Sequence, residues 1–163
     1  MITTYIGLGS NLNDPVQQLN TAIKHLQQLK HCKFITCSPF YCSTALLAVD
    51  NQQAQPDYLN AVVVLETTLS AEDLLLCLQA IEQQQGRQRN GLRWSARTLD
   101  LDILLYGETT IDMPHLQVPH PELTQRNFVI YPLYDVAPDL CLPDGAALQY
   151  LRQHCETQGI QAY

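Results

Sequence analysis

Residues 2–8 (ITTYIGL) are rich in β-branched and aromatic residues, the make-up of a strand, and the run stops at Gly9-Ser10-Asn11, a turn signal. Asp14 followed by Pro15 has the form of an N-cap and first helical position. Leu19, Ile23, Leu26 and Leu29 then recur at helical spacing, which predicts an amphipathic helix over 15–29. Residues 33–42 (KFITCSPFYC) read as a strand, with Pro39 marking an edge or bulge. A long polar loop covers 43–57, and 58–65 (YLNAVVVL) is a strand. Ser70 caps the next helix with Asp73 in the capping-box position, Leu74, Leu75, Leu78 and Ile81 form its stripe, and Gly86 ends it. A second loop spans 87–98, and a strand covers 99–106. Residues 114–121 (PHLQVPHP) hold three prolines and are expected to be extended and irregular. A helical pattern over 122–136 is interrupted by Pro132, and 146–155 is a last short helix.

The order is strand, helix, strand, strand, helix, strand. That is the βαββαβ pattern of a ferredoxin-like α+β sandwich with an antiparallel sheet, here with a C-terminal extension. With 163 residues, no repeat and no linker, 1–163 is expected to be one domain.

Composition narrows the function. The chain is 46 % hydrophobic, so it can bury a core, and only 15 % charged. A net charge of −7 argues against a nucleic-acid binder, which needs a basic face. The start, MITTYIGLGSN, lacks a basic region and long apolar core, and no stretch is long enough for a membrane span. A cytoplasmic protein is expected. The six cysteines form no CxxC pair and are read as reduced, mostly buried small hydrophobes.

The chemistry concentrates in RWSARTLDLDI (93–103). On a strand, Asp100 and Asp102 project from one face while Leu99, Leu101 and Ile103 point to the core. Two carboxylates roughly 7 Å apart repel unless a cation lies between them. Mg²⁺ is commonly held by one or two carboxylates, with waters and phosphates completing its shell. A bare DxD is also what an ordinary solvated strand presents. The upstream loop changes that balance. Arg87, Arg89, Arg93 and Arg97 are four of the nine Lys and Arg residues, and no acid lies between Glu82 and Asp100. Guanidinium groups beside a metal-ready pair are equipment for phosphoryl transfer.

RWSARTLDLDIL resembles the signature of the 6-hydroxymethyl-7,8-dihydropterin pyrophosphokinases of folate biosynthesis. YIGLGSNL (5–12), QPDYLNAVVVLET (55–67), IEQQQGRQR (81–89), VPHPEL (118–123), RNFVIYPLYDVAPDL (126–140) and PDG (143–145) resemble further family segments, in the family's order. The resemblance implies transfer of pyrophosphate from ATP to the pterin hydroxymethyl group, releasing AMP. It implies Asp100 and Asp102 as ligands of two Mg²⁺ ions, one at the α- and β-phosphates and one at the β- and γ-phosphates. The pair would then be metal ligands rather than proton acceptors. Arg87 and Arg97 match loop arginines that close over the triphosphate. Gln79, Arg89, Arg97, Ile103, His115, Gln117, His120 and Arg126 match ATP contacts, although His115 stands where some members have arginine. Trp94 matches a loop tryptophan that packs over the closed site.

A pterin is a flat ring with an amide-like edge, suited to two aromatic faces and a side-chain amide. By the resemblance, Tyr58 and Phe128 form that aromatic sandwich and Asn60 reads the edge. Read without it, both aromatics are core candidates. Gly9 matches a glycine that lets the backbone pass close to the pterin, and Asn11 is similarly placed. Ser43 and Thr44 both compete for the family's pterin-loop threonine, with Ala45, Leu46 and Leu47 next to them. The partners implied are small molecules, and the family acts mostly as monomers.

Three features depart from the family pattern. Ser95 replaces a glycine, adding strain on the order of 1–2 kcal/mol if that position needs positive φ. Asn90 stands where some members carry lysine. The loop 43–58 lacks the usual proline and glycine. These bear on loop closure and rate. Two other classes compete with the enzyme: an inactive binding domain that kept the fold, and an RNA-binding sheet face. Intact Asp100, Asp102, Arg87, Arg97, Asn60 and Phe128 favour the enzyme, and the net charge and absence of an RNA-binding aromatic signature disfavour the last.

Overall fold

The computed structural model describes residues 1–12, 14–43, 58–86, 99–157 and 159–163. Its centre is β1 (Ile2–Ser10), which pairs antiparallel with β4 (Tyr58–Thr67) on one side and β5 (Asp100–Tyr106) on the other. β2 (Cys32–Cys37) and β3 (Tyr41–Ser43) share the far edge of β4, and β8 (Ile160–Ala162) adds to β3. The order is β5-β1-β4-β3-β8, with β2 also on β4, and each pairing is antiparallel. The architecture is thus mixed α and β, with an antiparallel sheet and four α-helices among the described residues.

The strand expected over 33–42 is two strands. Between them the Ser38 N–H donates to Val62 O at 2.8 Å, and the Val62 N–H donates to Ser38 Oγ at 2.9 Å. Pro39 has no N–H to offer a ladder, so the serine side chain carries the pairing across the break.

One face of the sheet is covered by α1 (Pro15–Gln27) and α2 (Ala71–Gln84). Both start on the caps read from the sequence: Asp14 accepts the Gln17 N–H at 3.4 Å, and Ser70 accepts the Asp73 N–H at 3.1 Å. Gly86, at φ 92°, stops α2 in a conformation glycine adopts without cost. Leu19, Leu26, Leu74, Leu78 and Ile81 meet Ile6, Leu8, Val63, Leu65, Leu101 and Ile103 in a first apolar cluster.

The other face meets the C-terminal extension at one end. Leu123, Ile130, Leu133, Leu142 and Leu148 pack on Val62, Leu104 and Leu105 in a second cluster. Here α3 (Asn127–Val136) runs through Pro132, contrary to the expected interruption, and the chain instead breaks at Arg126, which is extended between a 3-10 turn (Leu123–Gln125) and α3. Proline costs one hydrogen bond, but Pro132 is buried beside Leu133, and packing outweighs that loss. Residues 114–121, expected to be irregular, contain β7 (Leu116–Val118), paired with β6 (Ile111–Met113). The prolines flank this short strand rather than enter it. The last helix, α4, covers Leu148–His154. All six cysteines are free, as expected, but Cys141 is exposed and the others are half-buried, not buried. No helix among the described residues is long and apolar enough to cross a membrane.

Candidate active site

The site starts from the two-residue period of β5. Leu99, Leu101 and Ile103 are buried in the first cluster, while Asp100 is half-buried and Asp102 exposed on the opposite face. Register then decides what stands beside them. Asp100 lies opposite Gly9, Gly9 opposite Asn60, and Asn60 opposite Tyr41. Opposed residues of antiparallel strands share a face, so these four form one row across the sheet. Asp102 lies opposite Gly7, and Tyr58 opposite Ser43. Asn60 and Ser43 are 6 % and 5 % exposed, and the Asn60 Nδ2 donates to Ser43 Oγ at 2.7 Å. A Cβ on Gly9 would sit 3.3 Å from Asn60 Oδ1, so glycine keeps the middle of this floor low.

The extension supplies a wall. The His120 N–H donates to Leu104 O at 3.0 Å, which lays the histidine alongside β5. Its Nδ1 accepts the Glu122 N–H at 3.2 Å, so the neutral ring carries its proton on Nε2, 4.0 Å from Asp102 Oδ2. Burial pulls the His120 pKa below its ordinary value, the Asp102 carboxylate opposes that, and the Arg126 guanidinium adds to the lowering. Arg126 is paired with Glu122 and lies with its guanidinium carbon 5.3 Å from the centre of the Phe128 ring. Burial lowers its pKa too, whereas Asp102, Asp100 and Tyr58 favour the cation. Both carboxylates and the Tyr58 hydroxyl thus act on the Arg126 charge.

The structure brings together Gly9, Ser43, Tyr58, Asn60, Asp100, Asp102, His120, Arg126 and, through Arg126, Phe128. Other expected residues stand apart. His115 is exposed in the β6–β7 turn, its Nε2 3.5 Å from Glu72 Oε2. Glu72 and Glu82 are ten residues apart on α2, about 15 Å along the helix. Gln117 donates across the hairpin to Asp112 at 3.5 Å, and Gln79 is half-buried on α2. The Ile103 side chain is in the core. Thr44, Ala45, Leu46, Leu47, Arg87, Arg89, Asn90, Trp94, Ser95 and Arg97 lie outside the described residues.

Glu82 is the residue that the sequence reading passed over. It is 2 % exposed, and its Oε2 accepts the Leu101 N–H at 3.0 Å, between the two aspartates. A signal was present: Leu74, Leu78 and Glu82 follow one another at i+4, so the carboxylate lies on the apolar stripe.

The donor set fits a hard cation that takes few protein ligands. Asp100 and Asp102 share a face and Asp102 is 53 % exposed, which leaves room for waters and phosphates in a cation's shell.

A family model described as 7,8-dihydro-6-hydroxymethylpterin-pyrophosphokinase (HPPK) matches residues 5–138. The chain is 48 % identical over 157 residues to a 2-amino-4-hydroxy-6-hydroxymethyldihydropteridine pyrophosphokinase of Pseudomonas aeruginosa, covering 96 % of this chain and 94 % of that one. It is 50 % identical over 151 residues to the protein of that name from Haemophilus influenzae, covering 93 % and 91 %. Among solved structures it is similar to HPPK-DHPS in complex with substrates, with a TM-score of 0.70, 12 % identity, and coverage of 93 % of this chain and 43 % of that chain. It is also similar to wild-type Plasmodium falciparum HPPK-DHPS with pteroate, with a TM-score of 0.72, 16 % identity, and coverage of 93 % and 42 %. The chain thus spans less than half of these solved chains, and at such identities the likeness speaks for the fold alone.

Proposed function

Because the chain belongs to the 7,8-dihydro-6-hydroxymethylpterin pyrophosphokinase family, enzymes of folate biosynthesis, we propose that it transfers pyrophosphate from ATP to 6-hydroxymethyl-7,8-dihydropterin. The pterin hydroxyl oxygen bonds to the β-phosphorus and gives up its proton to solvent, the bond from that phosphorus to the α-phosphate oxygen breaks, and AMP leaves with the electron pair. The observation that carries this reading is the Asp100–Asp102 pair on one face of β5, with the Asn60–Gly9 row beside it and His120 Nε2 4.0 Å from Asp102 Oδ2.

Asp100 and Asp102 would hold two Mg²⁺ ions, which when bound supply neutralisation of phosphate charge and a lower pKa for the attacking hydroxyl. Arg126 and His120 line the phosphate side, and Arg87, Arg89 and Arg97 add guanidinium groups from the loop. Gln79, His115 and Gln117 serve the nucleotide end, with Ile103 offering its peptide edge to the base. Tyr58 and Phe128 stack on the pterin, Asn60 and Ser43 read its edge with Thr44, Leu46 and the Gly9 backbone beside them, and Trp94 covers it. The frame is read as ferredoxin-like, since β5, β1, β4 and the β2–β3 edge follow the antiparallel order of that sandwich. Residues 1–163 then act as one pyrophosphokinase domain, a cytoplasmic monomer with small-molecule substrates.

The test is AMP formation from ATP, measured with and without the dihydropterin and with and without Mg²⁺. AMP is expected only when both are present, and pterin-independent or absent AMP formation would sink the reading. Asp100→Ala and Asp102→Ala are expected to abolish turnover with an unchanged circular dichroism spectrum. Near-normal turnover in both would exclude the metal role.

A further inference from the structure

β3 is three residues long, follows the break at Ser38-Pro39, and pairs with β4 on one side and the three-residue β8 on the other. It carries Ser43, which takes up the Asn60 Nδ2. Tyr41, at its other end, shares the face of Asn60 and reaches from the sheet to α3. Its hydroxyl donates to Asp135 Oδ2, and its ring centre lies 6.1 Å from that of Tyr131. Tyr131 is covered in turn by Arg152 of α4, whose guanidinium carbon stands 3.7 Å from the ring centre. Burial first, and the Asp135 hydrogen bond second, push the Tyr41 phenol up to about 12, so it stays a donor at working pH. The same α3 carries Phe128 in its first turn. Tyr41 therefore ties the strand that presents Ser43 to the helix that presents Phe128.

We propose that Tyr41 is a positioning residue for the pterin pocket: by donating to Asp135 it holds β3 against α3, keeps Ser43 on Asn60, and so sets which way the Asn60 amide faces. With Nδ2 committed to Ser43, Oδ1 turns towards Gly9 as an acceptor. An acceptor there selects a ligand edge rich in N–H donors, such as the amino group and ring N–H of a pterin. This inference rests on the pterin reading above.

The test measures dihydropterin affinity by fluorescence titration, together with kcat and KM for both substrates. Tyr41→Phe and Asp135→Ala are each expected to raise the pterin Kd and KM by about three- to tenfold, the worth of one hydrogen bond. The ATP KM and kcat should stay within about twofold. The double variant should be no worse than either single one, and Asp135→Glu should restore affinity. Unchanged pterin affinity would overturn the inference. So would an equal rise in both substrate constants with a lowered Tm, the mark of a plain packing contact. If the wild type itself neither bound the pterin nor formed AMP, the pterin reading would fail first and this inference with it.

Discussion

A single thiol shows how burial rewrites a group that composition treats as ordinary. Cys37 Sγ donates to Ser38 O at 3.3 Å, and burial pushes the thiol up from 9.0 to about 11. The folded protein thus keeps this proton over a range in which the unfolded chain loses it. Its contribution to stability is whole below about pH 9 and is lost as pH rises from 9 to 11. Cys37→Ala should flatten the fall in urea-unfolding free energy over that interval, and a fall parallel to the wild type would place the alkaline loss in other groups. The sequence marks this cysteine as a reduced, buried small hydrophobe, and the structure leaves it free but half-buried. Its half-burial depends on where β2 ends, which composition does not encode. Glu82 is the converse case. Its place on the apolar stripe is written in the sequence, but its partner, the Leu101 N–H, becomes visible only once α2 lies beneath β5.

At the scale of elements, the parts that were legible are those with local signals. α2 has its cap, stripe and stop within one stretch, and the structure gives it those ends. Ser70→Ala should therefore cost about 1 kcal/mol. The check is a lower urea midpoint at an unchanged slope, and an unshifted midpoint would mean the cap bond contributes nothing. The elements missed are short. β6, β7 and β8 have three residues each, too few to display a period, and they exist because a neighbour offers an edge: β6 and β7 to each other, β3 to β8. β3 escaped notice for the same reason, since Ser38 replaces a ladder bond that only register with Val62 could reveal.

At the scale of the whole molecule, β4 and β5 feed both clusters. Val63 and Leu65 turn to the first and Val62 to the second. Leu101 and Ile103 turn to the first, Leu104 and Leu105 to the second. The extension and the sheet should then unfold as one body. Ile130→Ala, deep in the second cluster, is expected to cost about 2–5 kcal/mol. Fluorescence and circular dichroism should still report a single transition, and two separated transitions would show the extension melting by itself.

The sequence by itself determined the alternation that turns Asp100 and Asp102 away from the core, the start of α1, both ends of α2, the strand face that pairs Tyr58 with Asn60, and the family. These follow from periods, caps and motifs a few residues long. The tertiary structure alone decided that Gly9 lies between Asp100 and Asn60, that His120 and Arg126 return from the extension to face the carboxylates, and that Ser43 meets Asn60. Those relations join residues far apart in the chain. They depend on strand register and on the packing of α3 against β4, which no local pattern specifies.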